Sequence, residues 1–82
     1  SRTHLNYILS ALESIPEDLF TIDNLRSVLF GYAEEKGKGS VLWPLRFALS
    51  GKDRSPNPFA LMSILGKKET MDRVKIALQK MQ

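Results

Sequence analysis

Arg46 is the one fixed cation inside an otherwise apolar segment, Leu42-Trp-Pro-Leu-Arg-Phe-Ala-Leu-Ser-Gly51. A guanidinium placed there needs a partner. Two kinds fit: a helix C-terminus or a carboxylate such as Asp53, or else a base edge or phosphate gripped by its fork of donors. Pattern alone leaves both open. Phe59 offers a second chemistry. It follows Ser55-Pro-Asn-Pro58 and projects off the apolar stripe of Leu61, Met62, Ile64 and Leu65. Such a ring either packs on another helix, the commoner outcome, or presents a face on which an unpaired base stacks, worth about 1–3 kcal/mol. Pro56 and Pro58 stiffen the approach to it, which lowers the ordering cost of binding. Lys67 and Lys68, next to Gly66, can meet phosphate or serve as ordinary surface charge.

Catalytic chemistry finds little support. The carboxylates Glu13, Glu17, Asp18, Asp23, Glu34, Glu35, Asp53, Glu69 and Asp72 fall on polar faces or in turns. No two of them share an apolar pocket, as general acid–base work requires. The single histidine, His4, lies beside an apolar stripe and reads as solvated or edge-packed rather than as a ligand. Gly37-Lys-Gly39 follows a helix rather than a strand and lacks the remaining residues of a phosphate loop. With no cysteine, thiolate metal sites and disulfides are excluded. The chain by itself is expected to be non-catalytic, with no cofactor and no metal.

The elements that must position these residues are helical. Leu5, Ile8, Leu9, Leu12 and Ile15 follow the i, i+3, i+4, i+7 rule and predict a helix from Arg2 to Ile15, ended by Pro16. A short helical turn over Pro16–Phe20 is expected next. Thr21 is a good N-cap, and Asp23 suits the first turn after it. Ile22, Leu25, Leu29, Tyr32 and Ala33 form the buried stripe of that second helix. Gly37-Lys-Gly39 is expected to end it and open a loop. A third helix over about 40–50 gathers Val41, Leu42, Leu45, Ala48 and Leu49 on one face. Its Pro44 is expected in the first turn, where a missing N–H does no harm, and Gly51 stops it. Pro58 starts a fourth helix to Leu65, and Gly66 breaks it. A last helix over about 68–81 buries Met71, Val74, Ala77, Leu78 and Met81. No segment alternates with period two. The expected fold class is all-α, a single domain over 1–82 built as a compact array of about five helices.

Length and charge agree with this. Eighty-two residues suit one small domain with a modest core. Twelve Lys and Arg against nine Asp and Glu give a net charge of +3, which permits a nucleic-acid partner without demonstrating one. No run approaches membrane-spanning length, so a soluble, cytoplasmic protein is expected. A first residue Ser1, without Met, reads as a fragment of something longer.

Taken together, Leu42-Trp-Pro-Leu-Arg-Phe-Ala-Leu-Ser-Gly51, Ser55-Pro56, Phe59 and Ile64-Leu-Gly-Lys67 resemble the C-terminal part of bacterial glutamyl-tRNA synthetases, class I aminoacyl-tRNA synthetases. The family pattern runs Pro-Leu-Arg, Ala-Leu-Thr/Ser-Gly, Ser/Thr-Pro and Leu-Gly-Lys before a closing helix. Ala33-Glu-Glu-Lys-Gly37 is similar to its Ala-Glu-x-x-Gly. The blocks cover about Phe20 to Leu78. The resemblance implies an all-α anticodon-binding domain that supports glutamylation of tRNA(Glu) by upstream domains of the parent ligase, which would use ATP and Mg. It implies the anticodon loop and the upstream catalytic domain as partners, in a monomer. It places Arg46, Ser55, Pro56, Asn57, Pro58 and Phe59 at the anticodon, with Lys67 a candidate phosphate contact. Pro58 departs from the pattern, since relatives often carry an aliphatic residue such as Leu there. The catalytic His-Ile-Gly-His-like and Lys-Met-Ser-Lys-Ser-like signatures are absent from this sequence. The alternative reading is a helical protein–protein module with Trp43, Phe47 and Phe59 as an exposed patch.

Overall fold

The computed structural model describes residues 2–51 and 57–80, and among these it has five α-helices, one short 3-10 turn and no strand. Helix α1, Arg2–Glu13, buries Leu5, Ile8 and Leu12. It stops two residues before the expected Ile15. Ser14 and Ile15 donate back to Ala11 O and Leu12 O at 3.2 and 3.1 Å, and Pro16 disfavours helical geometry in the residue before it. Ile15 is buried all the same. The chain then makes the 3-10 turn Glu17–Leu19 and buries Phe20.

Thr21 caps α2, Ile22–Lys36, with its hydroxyl accepting from Asn24 N at 3.4 Å. The buried stripe is Leu25, Leu29 and Ala33, with Tyr32 half-buried. Ile22, expected in that stripe, is instead exposed; it is the first residue of the helix, one turn before the first buried position, Leu25.

The turn into α3 departs from expectation. Gly37 alone makes it, at φ 100°, and α3 already runs from Lys38 to Ser50. Val41 N donates to Gly37 O at 3.1 Å, closing the first turn. Pro44 is therefore the seventh helical residue, inside the helix rather than in its first turn. The Ser40 carbonyl loses its intrahelical donor, a cost of about 3 kcal/mol in a helix interior. Ser40 is exposed, so water can take that place. Burial of Val41, Leu45 and Leu49 holds the helix together across the break. Gly51, left-handed at φ 72°, ends it with its N–H on Phe47 O at 2.7 Å. Arg73 Nη1 donates to Leu49 O, placing a cation where the helix dipole is negative.

Helix α4 is Pro58–Leu65 and α5 is Lys67–Lys80. Gly66, at φ 87°, separates them. The α4 face is a second correction. Pro58, Phe59 and Met62 are buried, Leu61 and Leu65 are half-buried, and Ile64 is 79% exposed. Helix α5 buries Thr70, Met71, Val74 and Leu78, with Ala77 half-buried. Met81 lies outside the described residues. Thr70 Oγ1 donates to Met62 O at 3.4 Å, which satisfies the one polar residue that is buried among the described residues. Helix α3 packs against each of the other four helices, so the core condenses around Val41, Leu45 and Leu49.

Candidate nucleic-acid interface

Arg46 sits one turn before the end of α3, half-buried, with Ser50 Oγ donating to its carbonyl at 2.9 Å. Its Nε is buried and has no hydrogen-bond partner. A buried donor left unpaired costs about 1–3 kcal/mol. Of the partners open in the sequence, the C-terminus of α3 is served by Arg73 rather than by Arg46, and Asp53 lies outside the described residues. A planar donor fork with an unmet N–H suits a bound carboxylate, phosphate or base edge.

The approach to α4 is built differently from expectation. Asn57 is the N-cap: its Oδ1 accepts from Phe59 N at 2.8 Å, and its carbonyl accepts from Leu61 N at 3.0 Å. Pro58 has no N–H to offer. The helix start therefore has fewer free donors for an anion than a plain N-terminus would. Phe59 is 2% exposed and belongs to the core, so it is not a stacking platform, and Pro58 is buried beside it. The reason lies in α4's composition: all its residues but Ser63 are apolar, and packing on α2, α3 and α5 selects Phe59 and Met62 as the inward pair. Asn57 remains exposed. Ser55 and Pro56 lie outside the described residues, as does Asp53.

Lys67 stands past the opposite end of α4 from Asn57, beyond the Gly66 break, with the eight-residue helix, about 12 Å long at 1.5 Å per residue, between them. Its Nζ donates to Glu13 O at 3.0 Å and so completes the C-terminus of α1. The structure thus brings Asn57, Pro58 and Phe59 together and separates Lys67 from them.

Two features escape a reading of the sequence. Arg26, on α2, holds its guanidinium carbon 5.8 Å from the centre of the Phe59 ring. This exposed cation lies beside the start of α4, and no local pattern links residues so far apart in the chain. The second is an aromatic group on α1 and α2: Tyr7 stacks on Tyr32 at 3.8 Å, and His4 Nδ1 meets the Tyr32 hydroxyl at 2.8 Å. His4 is thus edge-packed. Among the described residues no three His, Cys, Asp or Glu are grouped to hold a metal ion, and no helix is long and apolar enough to cross a membrane.

The described residues form a helical domain in which the buried Nε of Arg46 has no partner, and residues 1–78 match the family model described as "Anticodon binding domain". The chain belongs to that family. It is similar to a glutamate–tRNA ligase of Lachnoclostridium phytofermentans, 43% identical over 65 residues, covering 76% of this chain and 13% of the relative. It is also similar to one of Clostridium acetobutylicum, 37% identical over 81 residues, covering 95% and 16%. A third, from Clostridium novyi, is 40% identical over 80 residues, covering 94% and 16%. The chain thus spans 16% or less of the length of these curated relatives. No solved structure gives a significant match.

Proposed function

We propose that this domain is the anticodon-recognition part of a glutamate–tRNA ligase and that Arg46 is its central RNA contact. The observation that carries the reading is the buried, unpaired Nε of Arg46 in a domain of the anticodon-binding family. Loop bases of RNA are read by splaying them out and bonding their edges, and a half-buried guanidinium fork suits that task. Ser55, Pro56 and Asn57 are proposed to border the same loop, on the strength of the Ser-Pro pattern beside the α4 cap. Arg26 adds a cation on that side. Pro58 and Phe59 act from beneath, as the packed base of the cap. Lys67 serves the end of α1.

In this reading the domain contributes binding alone. ATP and Mg are used by the rest of the ligase, the tRNA is tRNA(Glu), and the protein works as a cytoplasmic monomer. The test is in the parent ligase. Arg46→Ala should weaken cognate tRNA binding by about 1–3 kcal/mol, the worth of a good bidentate base contact, and should blunt discrimination among anticodon variants. A correctly folded Arg46→Ala enzyme with unchanged affinity and unchanged anticodon preference would refute the assignment. The protein–protein alternative separates by salt: phosphate contacts lose affinity steeply as salt rises, whereas an apolar patch does not.

A further inference from the structure

Three large apolar side chains that the anticodon reading does not use face one groove between α3 and α5. Trp43, Phe47 and Ile76 are 54, 52 and 50% exposed. The Trp43 and Phe47 rings lie 6.5 Å apart at 30°. Leu5 of α1 closes the groove floor, Arg73 and Lys80 stand on its rim, and it encloses about 480 Å³. Apolar surface of this kind, rimmed by charge, marks an interaction site, and a groove between two helices suits an amphipathic helix laid into it.

We propose that this groove seats the stretch of the parent ligase chain that leads into α1. The first argument is where the chain enters. Arg2 Nη1 donates to Leu78 O at 3.4 Å, which ties the start of α1 to the end of α5, and Leu5 one turn later lines the groove. Residues arriving at Arg2 therefore reach the domain at the groove's edge. The second argument is length: this chain spans only 13–16% of its curated relatives, so most of such a parent lies outside it. A tethered segment docks at high effective concentration and needs little intrinsic affinity. The third argument is chemistry. Leu5 and Ile76 are aliphatic, which suits a helix stripe better than a nucleobase, and the Arg73 guanidinium is already held by Glu69 Oε2 at 2.8 Å and by Leu49 O. A second copy of the domain set on a two-fold axis would bring the Arg73 and Lys80 rims against each other. The occupant is thus an amphipathic helix with an apolar stripe and a carboxylate beside Lys80, the rim cation that Glu69 does not already pair. The proposal rests on the relatives being longer ligases and is independent of Arg46.

Trp43 is the sole tryptophan of this chain and reports on the groove directly. The parent ligase is labelled with 5-fluorotryptophan, and the Trp43 resonance is identified by its loss in Trp43→Phe. A soluble gadolinium chelate is then added without tRNA. The expected result is weak broadening of the Trp43 signal in the wild-type parent. Ile76→Glu should broaden it several-fold more, with unchanged helical circular dichroism, and Lys80→Glu should do so to a lesser degree. Strong broadening in the wild-type parent overturns the proposal. So does protection that arises only when tRNA is added, which would give the groove to RNA. Protection that grows with protein concentration overturns it in favour of a second copy.

Discussion

At the scale of single residues, the two positions that looked alike in the sequence as candidates for RNA contact have separated. Arg46 keeps an unmet donor, whereas Phe59 is core. Their variants should therefore fail in different ways. Phe59→Ala leaves a cavity against Met62 and its neighbours and should lower stability by about 3–5 kcal/mol, read as an early urea midpoint. Arg46→Ala should leave that midpoint nearly unmoved, or raise it, because it removes a buried unpaired group. Arg46 was legible because it is the only cation in an apolar segment. The Arg26–Phe59 contact was not, because it joins α2 to α4 and leaves no periodic trace in either. The burial of Phe59 was equally hidden. A wheel can rank faces only where polar residues mark the outside, and Ser63 is the sole marker in α4.

At the scale of elements, the punctuation was readable and the chemistry of the breaks explains why. Thr21, Gly51, Pro58 and Gly66 each act within one residue of an α-helix end, through a side-chain cap, a fixed φ or a glycine at positive φ, whereas Pro16 stands three residues past the end of α1. The misread end was Gly37-Lys-Gly39, where one glycine makes the turn and the other is simply helical. That shift moved Pro44 into the helix interior, and a prediction follows from it. Pro44→Ala restores a donor to Ser40 O, removes the ring clash and should stabilise the domain by about 2 kcal/mol, after allowing for the added freedom of the unfolded chain. A lower urea midpoint for Pro44→Ala would show that the ring's contact in the α3–α5 groove outweighs the lost bond. The α4 cap supports a third expectation. Asn57→Ala removes the acceptor for Phe59 N and should cost about 1 kcal/mol, whereas Asn57→Asp keeps that acceptor and should hold stability. Lys67→Met removes the donor at the end of α1, and calorimetry should find a loss of about 0.5–1 kcal/mol. If Lys67 serves only Glu13 O, the salt dependence of tRNA binding stays the same.

At the scale of the whole molecule, α3 decides how the domain unfolds. The radius of gyration is 11.3 Å, close to the value of about 12 Å expected for a packed domain of this length. One hydrophobic cluster joins all five helices, and α3 is the member that touches the other four. Stability at this size is roughly 4–12 kcal/mol, from about 0.05–0.15 kcal/mol per residue. Leu45 is fully buried at the middle of α3, and Leu45→Ala should cost about 2–5 kcal/mol, a large share of that total. Because α3 packs against all four of the other helices, the loss should not be confined to one of them. Urea titrations followed by helical circular dichroism and by Trp43 fluorescence should shift together, with one midpoint for both probes in the wild-type chain and in Leu45→Ala. Leu9→Ala, at a half-buried site on α1, should move the same midpoint less. If Trp43 fluorescence changes well before the helical signal in Leu45→Ala, α3 loosens while the remaining helices hold, and the single-core account of this domain fails.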